Sequence, residues 1–224
     1  PPGRRHLLGT DDSGRDVLAR IVHGSRSAML VGVGSMILCT LLGVVLGALA
    51  GYFGGPLDRF TRVGIETFTA FPTFFVILAV QGLFGTASLW QLVFIIAITR
   101  WTDVAWVTRA EVLSTVNEVY VDAARALGLG HLKILMRHVM PAVKGPVLVA
   151  STFGVAGAIL IESTLSFIGY GVPAPTASWG GLLADAFASD AGLWLILAPG
   201  VVLSATVLAV NLLGEGLNDA VDKL

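Results

Sequence analysis

Residues Glu118 to Pro141, EVYVDAARALGLGHLKILMRHVMP, set charged side chains among leucines and alanines between two long apolar runs. Arg125, Lys133 and Arg137 surround an apolar centre of Leu127, Leu129, Leu132 and Leu135. That mixture has the make-up of a protein interface. The stretch reads as two short helices hinged at Gly128-Leu129-Gly130, with Asn117 or Ser114 as the cap of the first and Gly128 as its terminator. Ala123, Ala124 and Ala126 favour helix and leave a surface that a partner approaches closely. A plain connector would need only its positive charges to hold topology. A long connector with its own helical pattern is usually functional, which favours docking.

Elsewhere, chemistry-bearing residues are scattered. Glu162 lies inside an apolar run, where a carboxylate marks either a substrate path or a structurally paired acid. It stands 18 residues beyond Lys144, about 27 Å along a helix and so close to the far interface. Trp179 sits in a stretch rich in Gly and Pro, 169–192, that reads either as a gate or partner contact, or as a simple interfacial anchor. The histidines are dispersed, and His131 and His138 are too far apart for an i, i+4 metal pair, so no metal site is expected. Cys39 is the only cysteine, which excludes an intrachain disulfide. No GxxxxGK[ST] phosphate loop occurs, no catalytic residue or cofactor pattern emerges, and the chain is not expected to be an enzyme.

The elements that must position these residues are membrane helices. The chain is 55% hydrophobic and 13% charged, with a mean hydropathy of +0.82, where soluble domains carry about 25% charged residues. A formal net charge of -1 argues against binding nucleic acid. About 20 apolar residues span a bilayer, and five such runs are expected: Ala28 to Leu49, Val63 to Phe84 with a kink at Pro72, Leu89 to Val107, Val147 to Gly171 and Leu193 to Leu213. In the second, Glu66 lies near one end and Gly85 closes the run. In the third, Arg100 and Asp103 either pair at i, i+3 or mark where the helix leaves the hydrocarbon. The fourth is rich in small and hydroxyl residues and is expected at the centre of a bundle.

Basic residues set orientation. Arg59 and Arg62 lie between the first two spans, and Arg109, Arg125, Lys133, Arg137 and Lys144 lie around the third connection. The segments 85–88 and 172–192 have no Lys or Arg, although the latter carries Asp185 and Asp190. The positive-inside rule places 52–62, 108–146 and the C-terminus in the cytoplasm. The first residues are then outside, in conflict with the five arginines Arg4, Arg5, Arg15, Arg20 and Arg26. An upstream span would resolve this by fixing orientation earlier. Asp16 to Arg26 reads as an amphipathic helix lying at the interface.

Ordered motifs along nearly the whole chain carry a resemblance. They are Leu8-Gly9-Thr10-Asp11, Gly14-Arg15-Asp16-Val17-Leu18-Ala19-Arg20, Gly51-Tyr52-Phe53-Gly54-Gly55 and Ala70-Phe71-Pro72. The series continues with Asp122-Ala123-Ala124, three residues, Gly128, nine residues and His138-Val139-Met140-Pro141, then Glu162 to Gly169, Ser178-Trp179-Gly180 and Asn211 to Leu217. The chain resembles the inner-membrane permease subunits of ABC importers of the dipeptide, oligopeptide and nickel class, and in particular the C-type permease. The general importer loop has Glu where Asp122 stands, Ile at His138 and Leu at Met140, while the Arg-His-x-x-Pro context is typical of the subclass. Arg100-Trp101-Thr102 replaces a Gly-Trp-Pro-like turn.

The resemblance implies an all-α, polytopic transmembrane bundle of the type I ABC importer permease fold, with five spans here and one more upstream. It implies an outer lead-in over 1–26, a transmembrane domain over 27–214 with its cytoplasmic coupling loop at 112–143, and a cytoplasmic tail over 215–224. The implied seat is a bacterial or archaeal plasma membrane. The implied partners are a second, homologous permease in a heterodimer, two ABC ATPase subunits and an extracytoplasmic solute-binding protein, besides the lipid bilayer. Asp122, Ala123, Ala124, Arg125, Gly128, His138 and Pro141 would couple to the ATPases. The cargo is left open among dipeptides, longer peptides, nickel chelates and other small solutes. The competing class, an ion-coupled secondary transporter, calls for paired acids in broken helices at mid-membrane, whereas Glu66, Asp103 and Glu162 are scattered towards span ends.

Overall fold

Apolar runs become long helices, two of which carry an interior proline, Pro146 and Pro199. The computed structural model describes residues 2–4, 6–84, 88–188 and 192–221. Its elements are α1 (Val17–Phe53), α2 (Gly55–Thr69), α3 (Thr73–Phe84), α4 (Leu89–Thr115), α5 (Val119–Ala126), α6 (His131–Ile134), a π turn (Leu135–Val139), α7 (Met140–Phe167), α8 (Trp179–Ala188) and α9 (Trp194–Val221). There is no β-strand among the described residues, only an isolated bridge between Thr10 and Asp16. Arg5, Gly85 and Asp190, each used in the reading of the sequence, lie outside the described residues.

Three stretches are long and apolar enough to cross a membrane: Val17–Phe53, His131–Phe167 and Trp194–Val221. A fourth is counted if α2 and α3 form one broken span. The remaining expected span, α4, exists as a helix of 27 residues, about 40 Å long, but does not join the apolar set, because Arg100, Asp103, Arg109 and Glu111 lie along it.

Several expected boundaries shift for physical reasons. The lead-in does not form a separate surface helix: α1 begins at Val17 and continues unbroken into the first span, since no residue between 17 and 53 is proline. Pro72 breaks the second run rather than kinking it, because residues before proline are pushed out of the α region. α4 passes straight through Arg100-Trp101-Thr102, and the Arg100 guanidinium donates to Asp103 Oδ2 at 2.8 Å. The i, i+3 pairing therefore holds without a helix exit. α7 ends at Phe167 rather than Gly171, and α9 continues through the expected polar tail to Val221.

The chain forms two compact units, one of Pro1–Met36, Phe74–Ile96 and Gly154–Asn211, the other of Ile37–Thr73, Ala97–Phe153 and Leu212–Leu224. In the second, α1 meets α4 along Gly43, Gly47 and Gly51. A Cβ on Gly47 would lie 2.5 Å from the carbonyl oxygen of Ala105, and one on Gly43 2.7 Å from Val104 Cβ. This four-residue glycine ridge lets the backbones touch, as small residues do between membrane helices. Asp58 of α2 accepts a bidentate ion pair from Arg109 of α4, with Nη2 at 3.0 Å from Oδ2, and Phe68 stacks edge-on against Trp101. In the first unit, Trp179 is buried with Val17, Ile21, Ala28, Ile159 and Leu182.

Gly47→Val is expected to destabilise the permease by about 1–3 kcal/mol or more, the usual cost of overpacking, since the obstacle is backbone. Gly200→Ala, with nothing within 4 Å, is expected to stay within about 1 kcal/mol. Thermal unfolding in detergent measures both, and equal behaviour of the two variants would overturn the packing account.

Candidate functional site

The 118–141 segment folds as α5, a glycine turn, α6 and a π turn that leads directly into α7. Neither Asn117 nor Ser114 caps α5: Glu118 holds the N-cap position without a side-chain bond, and Asn117 Nδ2 donates back to the Leu113 carbonyl. Gly128 ends α5 at φ 75, a conformation that suits glycine because it has no Cβ. Leu129 N–H closes the end on the Ala124 carbonyl at 3.2 Å. The second half of the segment is not a free helix. Pro141 has no N–H to return to the carbonyl four residues back, and Met140 N–H instead bonds Leu135 O, one residue further back than in an α-helix.

Burial divides the segment into an inner and an outer face. Val121, Ala124, Ile134, Leu135 and Val139 are buried, so Ala124 and Leu135 belong to the support and not to the presented surface. Val119 is 83% exposed, Leu127 81% and Leu132 73%, and Tyr120 and Met136 are exposed with them. Asp122, Ala123, Arg125, Gly128 and Pro141 lie on the exposed side, and His138 is half-buried. Arg125 is paired with Asp122 at 2.8 Å on the same exposed turn. Two contacts fasten the segment: the Tyr120 hydroxyl reaches the His138 carbonyl at 3.4 Å, and the Tyr52 hydroxyl lies 3.2 Å from His131 Nδ1.

The other two candidates are both buried. Glu162 is fully enclosed near the end of α7, with hydroxyl donors Ser166 Oγ at 2.8 Å and Ser163 Oγ at 3.3 Å. Ser166 Oγ also accepts from Val172 N–H at 3.1 Å, tying the following turn to the helix. No cation is paired with Glu162 among the described residues, so its partners are structural hydroxyls. Trp179 is 2% exposed, and its Nε1–H donates to the Ile21 carbonyl at 2.9 Å. It is a core residue and not an interfacial anchor.

Beside it, Asp11, Arg15, Arg20 and Asp185 form an ion cluster, in which Arg20 Nη1 lies 2.7 Å from Asp11 Oδ2 and 2.8 Å from Asp185 Oδ2. Burial pushes the Asp11 carboxyl up, but the Arg15 N–H and the Arg15 and Arg20 guanidinia outweigh that and hold it below its ordinary value of 3.8. No group of three or more metal-ligating side chains occurs among the described residues.

Residues 43–224 match the family described as binding-protein-dependent transport system inner membrane component. The chain is 36% identical to the oligopeptide transport system permease protein OppC of Haemophilus influenzae, over 97% of this chain and 70% of that protein. It is 37% identical to the di/tripeptide transport system permease protein DppC of Pseudomonas aeruginosa, over 97% and 72%. Among solved structures, a chain of the inward-facing MetNI methionine ABC transporter superposes with a TM-score of 0.76 at 15% identity, covering 91% of this chain and 97% of that one. The chain belongs to this transport-component family. It is a multi-pass membrane permease subunit of an ABC importer with the fold of type I importer permeases.

Within the permease, the exposed Val119, Tyr120 and Met136 extend the presented face beyond what the sequence reading found. The signal was available: Val119, Ala123, Ala126 and Leu127 recur at helical spacing. Tyr52 holds α6 through His131.

Because the folded-state value of Asp11 is depressed, its contribution to stability is complete above about pH 4 and is lost as pH falls through the lower folded value. Thermal melts between pH 5 and pH 3 are expected to fall more steeply for the native permease than for Asp11→Asn, and parallel slopes would sink the assignment.

Proposed function

We propose that the exposed face of α5 and α6 is the surface by which this permease is coupled to separate ATPase subunits, in an importer of peptides or a similar small solute. The observation carrying the reading is the combination of strongly exposed Leu127, Leu132 and Val119 with a segment fastened from beneath by Val121, Ala124, Leu135 and Val139. Exposed leucines on a fixed support suit a partner's apolar groove, and Arg125, Lys133 and Arg137 provide its polar rim. Asp122, Ala123, Ala124, Arg125, Gly128, His138 and Pro141 divide the work. Ala123 and Arg125 contact the partner, Asp122 orients Arg125, Ala124 packs inward, and Gly128, His138 and Pro141 set the turn and its exit.

ATP is hydrolysed on the partner subunits, and the π turn hands their movement to α7. A second, homologous permease completes the pathway and an extracytoplasmic binding protein delivers the solute. The names of the curated relatives, which include oligopeptide, dipeptide and di/tripeptide permeases, support peptides as the cargo. Glu162 and Trp179 serve the pathway by holding the outer end of α7 and the turn after it, rather than by touching solute. The coupling segment and the C-terminus face the cytoplasm, and residues 1–16 face outward, following the distribution of Lys and Arg.

Leu127→Asp replaces an exposed side chain and is expected to leave the fold intact while weakening ATPase association by about thirtyfold, the effect of losing an interface anchor. Co-purification of the ATPases and solute uptake are the measurements, and unimpaired uptake would remove the coupling role. Uptake that persists without the ATPases would favour an ion-coupled transporter instead. A single cysteine placed at Leu127 is expected to react with a membrane-impermeant maleimide only from the cytoplasmic side, and one at Asp12 only from the outside. The opposite pattern would invert the topology.

A further inference from the structure

The start of α1 and the turn before α8 enclose a pocket of about 470 Å³. Its walls are apolar, with Leu30, Leu89, Pro175 and Ala177, and its rim carries His23 and Arg26. The other charged residues lining it are already committed: Arg15 and Arg20 to Asp11, and Asp16 to His6. His23 donates Nδ1–H to the Ala19 carbonyl at 2.8 Å, which leaves Nε2 as an acceptor in the neutral ring. Arg26 makes no ion pair among the described residues and is exposed at the pocket mouth. It is the available cation of the site.

Position along the helix decides what this cation meets. Arg26 is the last charged residue before the charge-free stretch 27–53, which at 1.5 Å per residue covers about 40 Å, more than the roughly 30 Å hydrocarbon layer. Arg26 therefore stands in the headgroup layer, and Leu30, one turn further on, stands at the start of the hydrocarbon. Ala19, His23, Arg26 and Leu30 share one helix face by their spacing. The ligand that matches is an amphiphile with an anionic head at Arg26 and a chain against Leu30 and Leu89. A free anion would leave the apolar walls uncovered, and an acidic protein loop would bring charge against them.

We propose that this pocket is a binding site for the headgroup and upper acyl chain of an anionic phospholipid, with Arg26 as its phosphate contact. The site holds the first turns of α1 at the membrane surface, next to the Asp11–Arg20–Asp185 cluster. It follows from α1 crossing the membrane and does not depend on which leaflet faces it or on the coupling segment.

The test uses the permease purified with its partner subunits and equilibrated with equimolar phosphatidylglycerol and phosphatidylcholine, bound lipid being read by native mass spectrometry. Phosphatidylglycerol is expected to be retained over phosphatidylcholine by about fivefold, the attraction of one basic residue near an anionic surface. Arg26→Gln is expected to abolish that preference, and Arg59→Gln on α2 to leave it unchanged. Leu30→Asn keeps the charge and is expected to lower retention of the lipid, so it carries the test if Arg26→Gln fails to assemble. Preference that survives Arg26→Gln would overturn the proposal. So would full displacement by millimolar inorganic phosphate, which would mark an ion site without a lipid. Photocrosslinking from position 26 is expected to capture lipid, and capture of a protein subunit instead would assign the pocket to a protein interface.

Discussion

Polar groups on a helix in hydrocarbon have no water to bond, and this permease answers that constraint by turning them back on its own backbone. The hydroxyls of Ser35, Thr152, Thr164 and Thr206 each donate to a carbonyl four residues earlier. Thr40 and Ser151 satisfy one another at 2.7 Å, and Gln81 is shared between Gln91 and the Tyr170 carbonyl. The Thr61 and Thr108 hydroxyls and Trp194 Nε1–H stay buried without a partner, Thr108 beside Gly47 itself, and the helices meet through small residues along the Gly43, Gly47 and Gly51 ridge against α4. Of the charges that remain, Arg109 pairs with Asp58 near the end of α4, Arg100 pairs with Asp103 in its middle, and Glu162 is held by the hydroxyls of Ser163 and Ser166.

The 118–141 segment, proposed to couple to the ATPases, divides into two faces. Its outer face leaves the large apolar side chains Val119, Leu127 and Leu132 uncovered by the rest of the chain. Its inner face is a small core of its own, and the tyrosines at 52 and 120 fasten it at two further points. Glu162 and Trp179 show the same logic in the other unit, where polar atoms hold the turn after α7 and the start of α1.

The existence and type of the long helices were legible because hydropathy in a chain this apolar is an unambiguous signal. The two short helices of 118–141 and their hinge at Gly128 were legible from the glycines and the placement between apolar runs. What escaped were features decided by tertiary contact. Nothing in the local sequence says that Asn117 will bond backward rather than cap α5. Likewise Leu135 and Ala124, equal in composition to their neighbours, are assigned to the inner face only by packing. Pro72 and Pro141 are both prolines at helix junctions, yet one breaks the chain and the other is absorbed, a difference set by the residues around them. Trp179 read either as part of a gate or partner contact or as an interfacial anchor, and its burial, with Nε1–H on the Ile21 carbonyl, is decided by packing.

The π turn at Leu135–Val139 has an implication for the azimuth of the presented surface. A π turn holds one residue more than an α turn, so its resolution into ordinary helix would turn everything before it by about 100° about the α7 axis. Leu127 and Leu132 would then point along a different bearing, with no change in their identity. The facing of this surface is therefore a property of helical phase at Pro141, and the single extra residue there acts as its compass setting.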